Sequence, residues 1–162
     1  FAGNELAVIF PAENPAGLRT LSDLADSGIK IVMASPSVPA GHYATLLLDA
    51  AGADPDYGSL YKASVLDNVV SYEENVRAVL SKVRLGVADA GIVYQSDVAP
   101  KLAGEVGQLT VPQHLNVQAL YPIAPISDSQ NPDLANRFID FVLSPQGQEM
   151  LMENGLKSVA AQ

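Results

Sequence analysis

The succession of strand-like and helix-like segments in this 162-residue chain predicts an α/β fold, with a mostly parallel sheet flanked by helices. Three observations carry that expectation. Apolar runs of strand length at residues 6–10, 29–34 and 90–94 alternate with stretches of helical spacing. Prolines and glycines (Pro11, Gly28, Pro36, Gly52, Gly86) punctuate the transitions. Hydrophobic residues make up 48% of the chain and charged residues 17%, which supplies a core and argues against disorder.

Taken in order, Leu6-Ala7-Val8-Ile9-Phe10 reads as a strand ended by Pro11. Thr20 followed by Asp23 resembles a capping box opening a short helix over residues 21–25, which Gly28 closes. Residues 29–34 form the next strand, broken by Ser35-Pro36. Pro39 suits a place just ahead of, or at, the first position of a helix that carries Tyr43, Leu46, Leu47 and Ala50 at helical spacing and ends at Gly52. Residues 53–63 read as irregular and 65–69 as a short strand.

Asn75 is an N-cap for a helix over 76–85, whose stripe Val76, Val79, Leu80 and Val83 falls at i, i+3, i+4 and i+7. Gly86 takes the position just beyond its end. Residues 90–94 and 109–111 follow as strands, and 120–124 as a strand returning across the molecule, with Pro122 pointing to an edge or crossing. Two closing helices start near Pro132 and Pro145. The first is expected to bury Leu134, Phe138, Phe141 and Val142.

Several function classes are excluded or disfavoured. The chain has no cysteine, hence no disulfide or thiolate chemistry. Its two histidines, His42 and His114, lack metal-ligand spacing, so no direct cation ligands are assigned. No nucleophile elbow or phosphate-cradling glycine loop is present, and no catalytic residue or cofactor is expected. The adjacent Glu73 and Glu74 read as a solvated helix entrance rather than an acid–base pair. A net charge of -9 argues against nucleic acid as a partner. It does not exclude a small anion, because a buried site answers to local dipoles rather than to net charge. No run reaches the length of a membrane span and no signal-peptide pattern is present. A chain that opens on a buried strand reads as a piece of something longer.

Three segments place donors where open α/β sheets bind ligands, beyond the carboxyl ends of strands. They are residues 36–41 (Pro-Ser-Val-Pro-Ala-Gly), 74–77 (Glu-Asn-Val-Arg) and 93–97 (Val-Tyr-Gln-Ser-Asp). The first two each present unpaired backbone N–H groups at a helix start, where the dipole favours an anion. Tyr94 adds a neutral hydroxyl. Each piece alone has an ordinary reading: most helix starts bind water, most strand-end tyrosines are half-buried core, and Arg77 reads as a surface residue. Together they form an uncharged donor set for a dianion.

In sequence and order, residues 38–44 (Val-Pro-Ala-Gly-His-Tyr-Ala), 74–80 (Glu-Asn-Val-Arg-Ala-Val-Leu) and 88–97 (Ala-Asp-Ala-Gly-Ile-Val-Tyr-Gln-Ser-Asp) resemble the periplasmic molybdate-binding proteins of bacterial ABC importers. Residues 121–124 (Tyr-Pro-Ile-Ala) and 138–147 (Phe-Ile-Asp-Phe-Val-Leu-Ser-Pro-Gln-Gly) match that family's closing segment, which many solute-binding proteins share. The resemblance covers nearly the whole chain but only the latter part of the family. It implies a periplasmic-binding-protein type II-like lobe holding a tetrahedral oxyanion, molybdate or tungstate, through Ala40 N–H, Val76 N–H and the Tyr94 hydroxyl.

The same resemblance implies a complete second lobe over residues 6–118 and the C-terminal part of the first lobe over 119–162. The family's two first-lobe serines fall in a region this chain lacks. The implied partners are the small oxyanion, an ABC transporter permease, and the missing N-terminal lobe or a second copy. The implied location is periplasmic, membrane-associated through the transporter. A competing reading is the ligand-sensing domain of a transcription regulator with the same two-lobed fold. An enzyme on this scaffold would lack any nucleophile–base pair.

Overall fold

A computed structural model describes residues 1–98 and 104–158. Its larger sheet has the strand order β4-β3-β5-β2-β6, built from β2 (Leu6–Pro11), β3 (Ile31–Ala34), β4 (Val69–Glu73), β5 (Ala90–Tyr94) and β6 (Val106–Leu109). β3 runs parallel to β4 and β5, while β2 is antiparallel to β5 and β6. Four strands therefore share one direction and β2 alone opposes them. The mostly parallel sheet holds in strand direction, yet both ladders of β2 are antiparallel. The reason lies in the connections. Helical crossovers link β3 to β4 and β4 to β5, which enforces parallel pairing, whereas β2 enters directly from a second sheet.

That second sheet is the antiparallel pair β1 (Ala2–Asn4) and β7 (Ala119–Tyr121), with Ala2 opposite Tyr121 and Asn4 opposite Ala119. The chain crosses between the sheets at Glu5 and again between β6 and β7. Asn116 secures the second crossing: its amide Nδ2 donates to Leu6 O at 2.8 Å and its Oδ1 accepts Leu6 N–H at 2.9 Å.

Both faces of the larger sheet are covered, so its central strands are apolar on both sides. Leu6, Val8, Ile31, Met33 and Ile92 pack under α1 (Pro39–Ala53) and α2 (Tyr61–Asp67) with Leu47, Leu48, Tyr61 and Val65. The alternate residues Ala7, Ile9, Val32, Ala34 and Val93 pack under α3 (Val76–Arg84) with Val79 and Val83. The two-residue strand period thus fills two cores from one run of sequence. Gly91 lets α3 settle on β5: a Cβ there would stand 2.8 Å from Val79 Cγ1 and 2.9 Å from Val83 Cγ2.

Several expected elements shift. Residues 61–67 form the helix α2, not irregular chain followed by a strand at 65–69, and the strand begins only at Val69. No side-chain cap marks this helix, which is held from outside. Tyr61 and Val65 are buried one turn apart, and the Tyr61 hydroxyl donates to Leu21 O at 2.5 Å. β6 lies at 106–109 rather than 109–111, and β7 at 119–121 rather than 120–124. The 21–25 segment is a 3₁₀ turn, where the Asp23 carboxylate accepts Thr20 N–H at 2.9 Å.

α5 (Pro132–Leu143) and α6 (Pro145–Glu153) form as expected, but α5 does not bury its stripe. Leu134 is 65% exposed, Phe138 59% and Phe141 43%, and Val142 is only partly buried. Nothing among the described residues covers that face. An apolar cavity of about 450 Å³ opens there, lined by Phe1, Phe138, Phe141, Met150 and Leu151 among others. No described helix is long and apolar enough to cross a membrane.

Candidate functional site

β3 ends at Ala34, and a tight turn delivers the chain to α1. Ser35 N–H donates to Glu73 O at 2.8 Å, Val38 N–H to Ser35 O at 3.0 Å, and the Ser35 and Ser37 hydroxyls pair at 2.8 Å. Pro39 opens the helix without an N–H to satisfy. The first backbone bond into the helix is His42 N–H to Val38 O at 3.0 Å. The N–H groups of Ala40 and Gly41 thus have no partner among the described residues, as the first turn of a helix requires. Gly41 is a steric necessity: a Cβ there would sit inside contact distance of the Ser35 and Ala34 carbonyl oxygens. This close approach seats the start of α1 directly on the end of β3.

β4 ends at Glu73 and α3 starts three residues later. The Asn75 side chain caps it by accepting Ala78 N–H at 3.1 Å. The Val76 N–H, at the first helical position, is left without a partner among the described residues. Glu73 is not part of a solvated entrance, in contrast to the expectation for the Glu73–Glu74 pair. It pairs with Lys82 at 2.5 Å and accepts the Ser71 hydroxyl, and both interactions hold its carboxyl below the usual range. Glu74 is exposed, and so is Arg77.

The third segment follows β5. Tyr94 N–H donates to Asp97 Oδ2 at 3.0 Å, which turns the chain into the short helix α4 (Gln95–Val98). Burial, then the neighbouring Tyr121, Tyr43 and Asp97, push the Tyr94 phenol up to about 12. Its hydroxyl has no hydrogen-bond partner among the described residues. Burial also raises the Asp97 carboxyl, opposed by the Tyr94 N–H and by Arg77.

These three segments meet. Val38, Pro39 and Ala40 from the start of α1, Glu74, Asn75 and Val76 from the start of α3, and Tyr94 from the end of β5 line one cavity of about 320 Å³. Ala40, Val76 and Tyr94, singled out from the sequence on separate segments, all belong to it. Among the described residues no cationic side chain lines it, and the one acidic residue there, Glu74, is exposed to solvent. What the site offers is unpaired N–H groups, two helix N-termini and one neutral hydroxyl. Among the described residues, no group of three or more His, Asp and Glu side chains could hold a metal ion.

Sequence reasoning missed two supports of this site. One is Tyr43, whose ring packs against Tyr94. The other is Asn4, a polar side chain 1% exposed beneath the strand crossing. In the sequence it is one polar residue, set apart by Glu5 from the apolar run that starts at Leu6.

A two-faced α/β lobe of this kind places its unpaired donors beyond the carboxyl ends of its strands, where open α/β sheets take ligands. The chain belongs to the bacterial extracellular solute-binding proteins, whose family pattern matches residues 1–157. It is 34% identical over 155 residues to the molybdate-binding protein ModA of Mycobacterium tuberculosis, covering 96% of this chain and 54% of that protein. A substrate-binding domain from Clostridium difficile, assigned to a molybdenum ABC transporter, superposes with TM-score 0.77 at 29% identity, over 98% of this chain and 65% of that one. The sulfate-binding protein SubI of Mycobacterium tuberculosis shares the fold with TM-score 0.79 at 21% identity, over 99% of this chain and 58% of that one. The chain spans about half the length of the curated relatives it matches.

Proposed function

We propose that this chain supplies one complete ligand-binding lobe, residues 6–118, and the C-terminal part of the other, residues 119–162, of an extracytoplasmic protein that captures molybdate or tungstate for an ABC importer. Ala40 N–H, Val76 N–H and the Tyr94 hydroxyl donate to the oxyanion from the second lobe, and the remaining donors come from the first. Delivery to a transporter permease places the protein in the periplasm, at the membrane surface. The chain's own role is binding, without a catalytic step or a cofactor.

The observation that carries this reading is that the residues bearing the three donors line one cavity, with no lysine or arginine among its described lining residues. A divalent oxyanion held by neutral dipoles is desolvated without a permanent ion pair, so it can be released again. The donors are fixed by secondary structure before the ligand arrives, which limits the entropic cost of binding. The relatives named for molybdate give the ligand class its direction.

The exposed stripe of α5 belongs to the same reading. Leu134, Phe138 and Phe141 would be covered by the rest of the first lobe, or by a second copy of this chain. The test is calorimetric titration of the full-length protein with sodium molybdate and sodium tungstate, with sulfate as competitor. Tight binding of the first two, and millimolar-range or weaker binding by residues 1–162 alone, is the expected result. A full-length protein that ignores all three anions overturns it.

A further inference from the structure

Asn4 closes β1 at the point where the chain leaves the small sheet for the large one. Its side chain uses its full hydrogen-bonding capacity. Oδ1 accepts Glu5 N–H at 3.1 Å and Ser96 N–H at 3.4 Å. Nδ2 donates to Ser96 Oγ at 2.8 Å and to the Tyr121 hydroxyl at 3.2 Å. One amide thereby joins the strand crossing, the first turn after Tyr94, and β7. Gln95 N–H adds a fifth hydrogen bond by donating to Glu5 O at 2.8 Å.

The residues bonded to Asn4 flank Tyr94. Ser96 follows it by two positions, and Glu5 precedes Leu6, the residue opposite Tyr94 across the β2–β5 ladder. Tyr94 itself makes no side-chain hydrogen bond among the described residues, so its hydroxyl must be aimed by its backbone and packing. We propose that Asn4 is a positioning residue that aims the Tyr94 hydroxyl into the cavity, by clamping Ser96 and Tyr121 to the strand crossing. A neutral amide suits this place. It offers acceptors to two N–H groups and donors to two hydroxyls at once, whereas an aspartate would set a buried negative charge beside an anion cavity.

This inference rests on the proposed anion site, so its test has two arms. In the first, the full-length protein is titrated with molybdate as wild type, Ser96→Ala, Tyr94→Phe and the double variant. Ser96→Ala should weaken binding about fivefold, in keeping with one lost hydrogen bond. In the Tyr94→Phe background it should have almost no further effect, because the clamp acts through that hydroxyl. Equal losses in both backgrounds, or no loss in either, overturn the proposal while leaving the anion site intact. The second arm needs no ligand. Tyrosine ring NMR signals are compared among wild type, Ser96→Ala and Asn4→Leu. The Tyr94 signals should move, while those of Tyr57 and Tyr72 stay in place. Unmoved Tyr94 signals overturn the clamp, even in a protein that binds no molybdate.

Discussion

The rings of Tyr43 and Tyr94 meet edge to face, with centroids 6.4 Å apart and planes at 65°. Tyr43 lies one turn into α1 and Tyr94 at the end of β5, so the contact fixes the start of α1 against the end of that strand. Such pairs contribute about 0.5–1.5 kcal/mol beyond their burial. Here the contact also restricts the ring of a residue that lines the cavity.

Replacing Tyr94 by Phe keeps this ring contact and removes only the donor. Molybdate affinity of the full-length protein should fall by about 1.5–3 kcal/mol, the range for a bond to a charged group, with little change in Tm. Because the phenol is pushed up to about 12, the wild-type hydroxyl keeps its proton well above the ordinary tyrosine value of 10.0. Affinity measured from pH 7 to pH 10 should therefore show no tyrosine titration. A midpoint near 10 would contradict the partly buried, neutral donor.

Val76→Pro separates a ligand donor from a mere helix start. The Val76 N–H bonds to nothing described, and Asn75 holds the extended conformation, φ -159° and ψ 162°, that a residue before proline prefers. The Asn75 cap to Ala78 N–H is untouched. Circular dichroism should show the fold retained, while calorimetry shows weaker anion binding. Unchanged affinity in the folded variant would remove Val76 from the site.

Gly41→Ala drives a methyl group into the Ser35 and Ala34 carbonyl oxygens. Overpacking of this kind costs about 1–3 kcal/mol, and here it must lift α1 off β3. Urea unfolding should show that loss, and anion affinity should fall with it because Ala40 moves too. A variant as stable as wild type would mean that the turn yields easily.

The Asp97 carboxyl is raised by burial. A raised carboxyl lends stability below its unfolded value of 3.8 and loses it as pH rises through the higher folded value. At neutral pH the buried charge is therefore a liability. Asp97→Asn leaves an oxygen to accept Tyr94 N–H, so the variant should melt higher than wild type at pH 7 and match it at pH 3. A lower Tm at pH 7 would show that the charge itself is needed, through Arg77.

Much of the architecture was legible because local chemistry and final structure agree. Pro39 opens α1, Asn75 caps α3, Gly86 adopts a positive φ of 67°, and the paired faces of β2 and β3 follow the two-residue period. The same helix starts pointed to the segments 36–41 and 74–77, within which the family resemblance implied Ala40 and Val76, since an unpaired N–H at a helix start is a property of sequence as much as of fold. Where the expectation failed, the stabilising partner was distant. α2 is held by Tyr61 reaching Leu21, forty positions away, and nothing nearby in sequence announces it.

The sequence by itself determined the elements, their caps and the chemical character of each donor, because these depend on neighbours within a turn or two. Tertiary structure alone decided that Ala40, Val76 and Tyr94 share a cavity and that β2 runs against its neighbours. It alone decided that Asn4 joins segments more than ninety positions apart. It also left the stripe of α5 open to solvent, although that stripe reads as core. Periodicity shows which face of a helix is apolar, but only packing determines whether anything covers it.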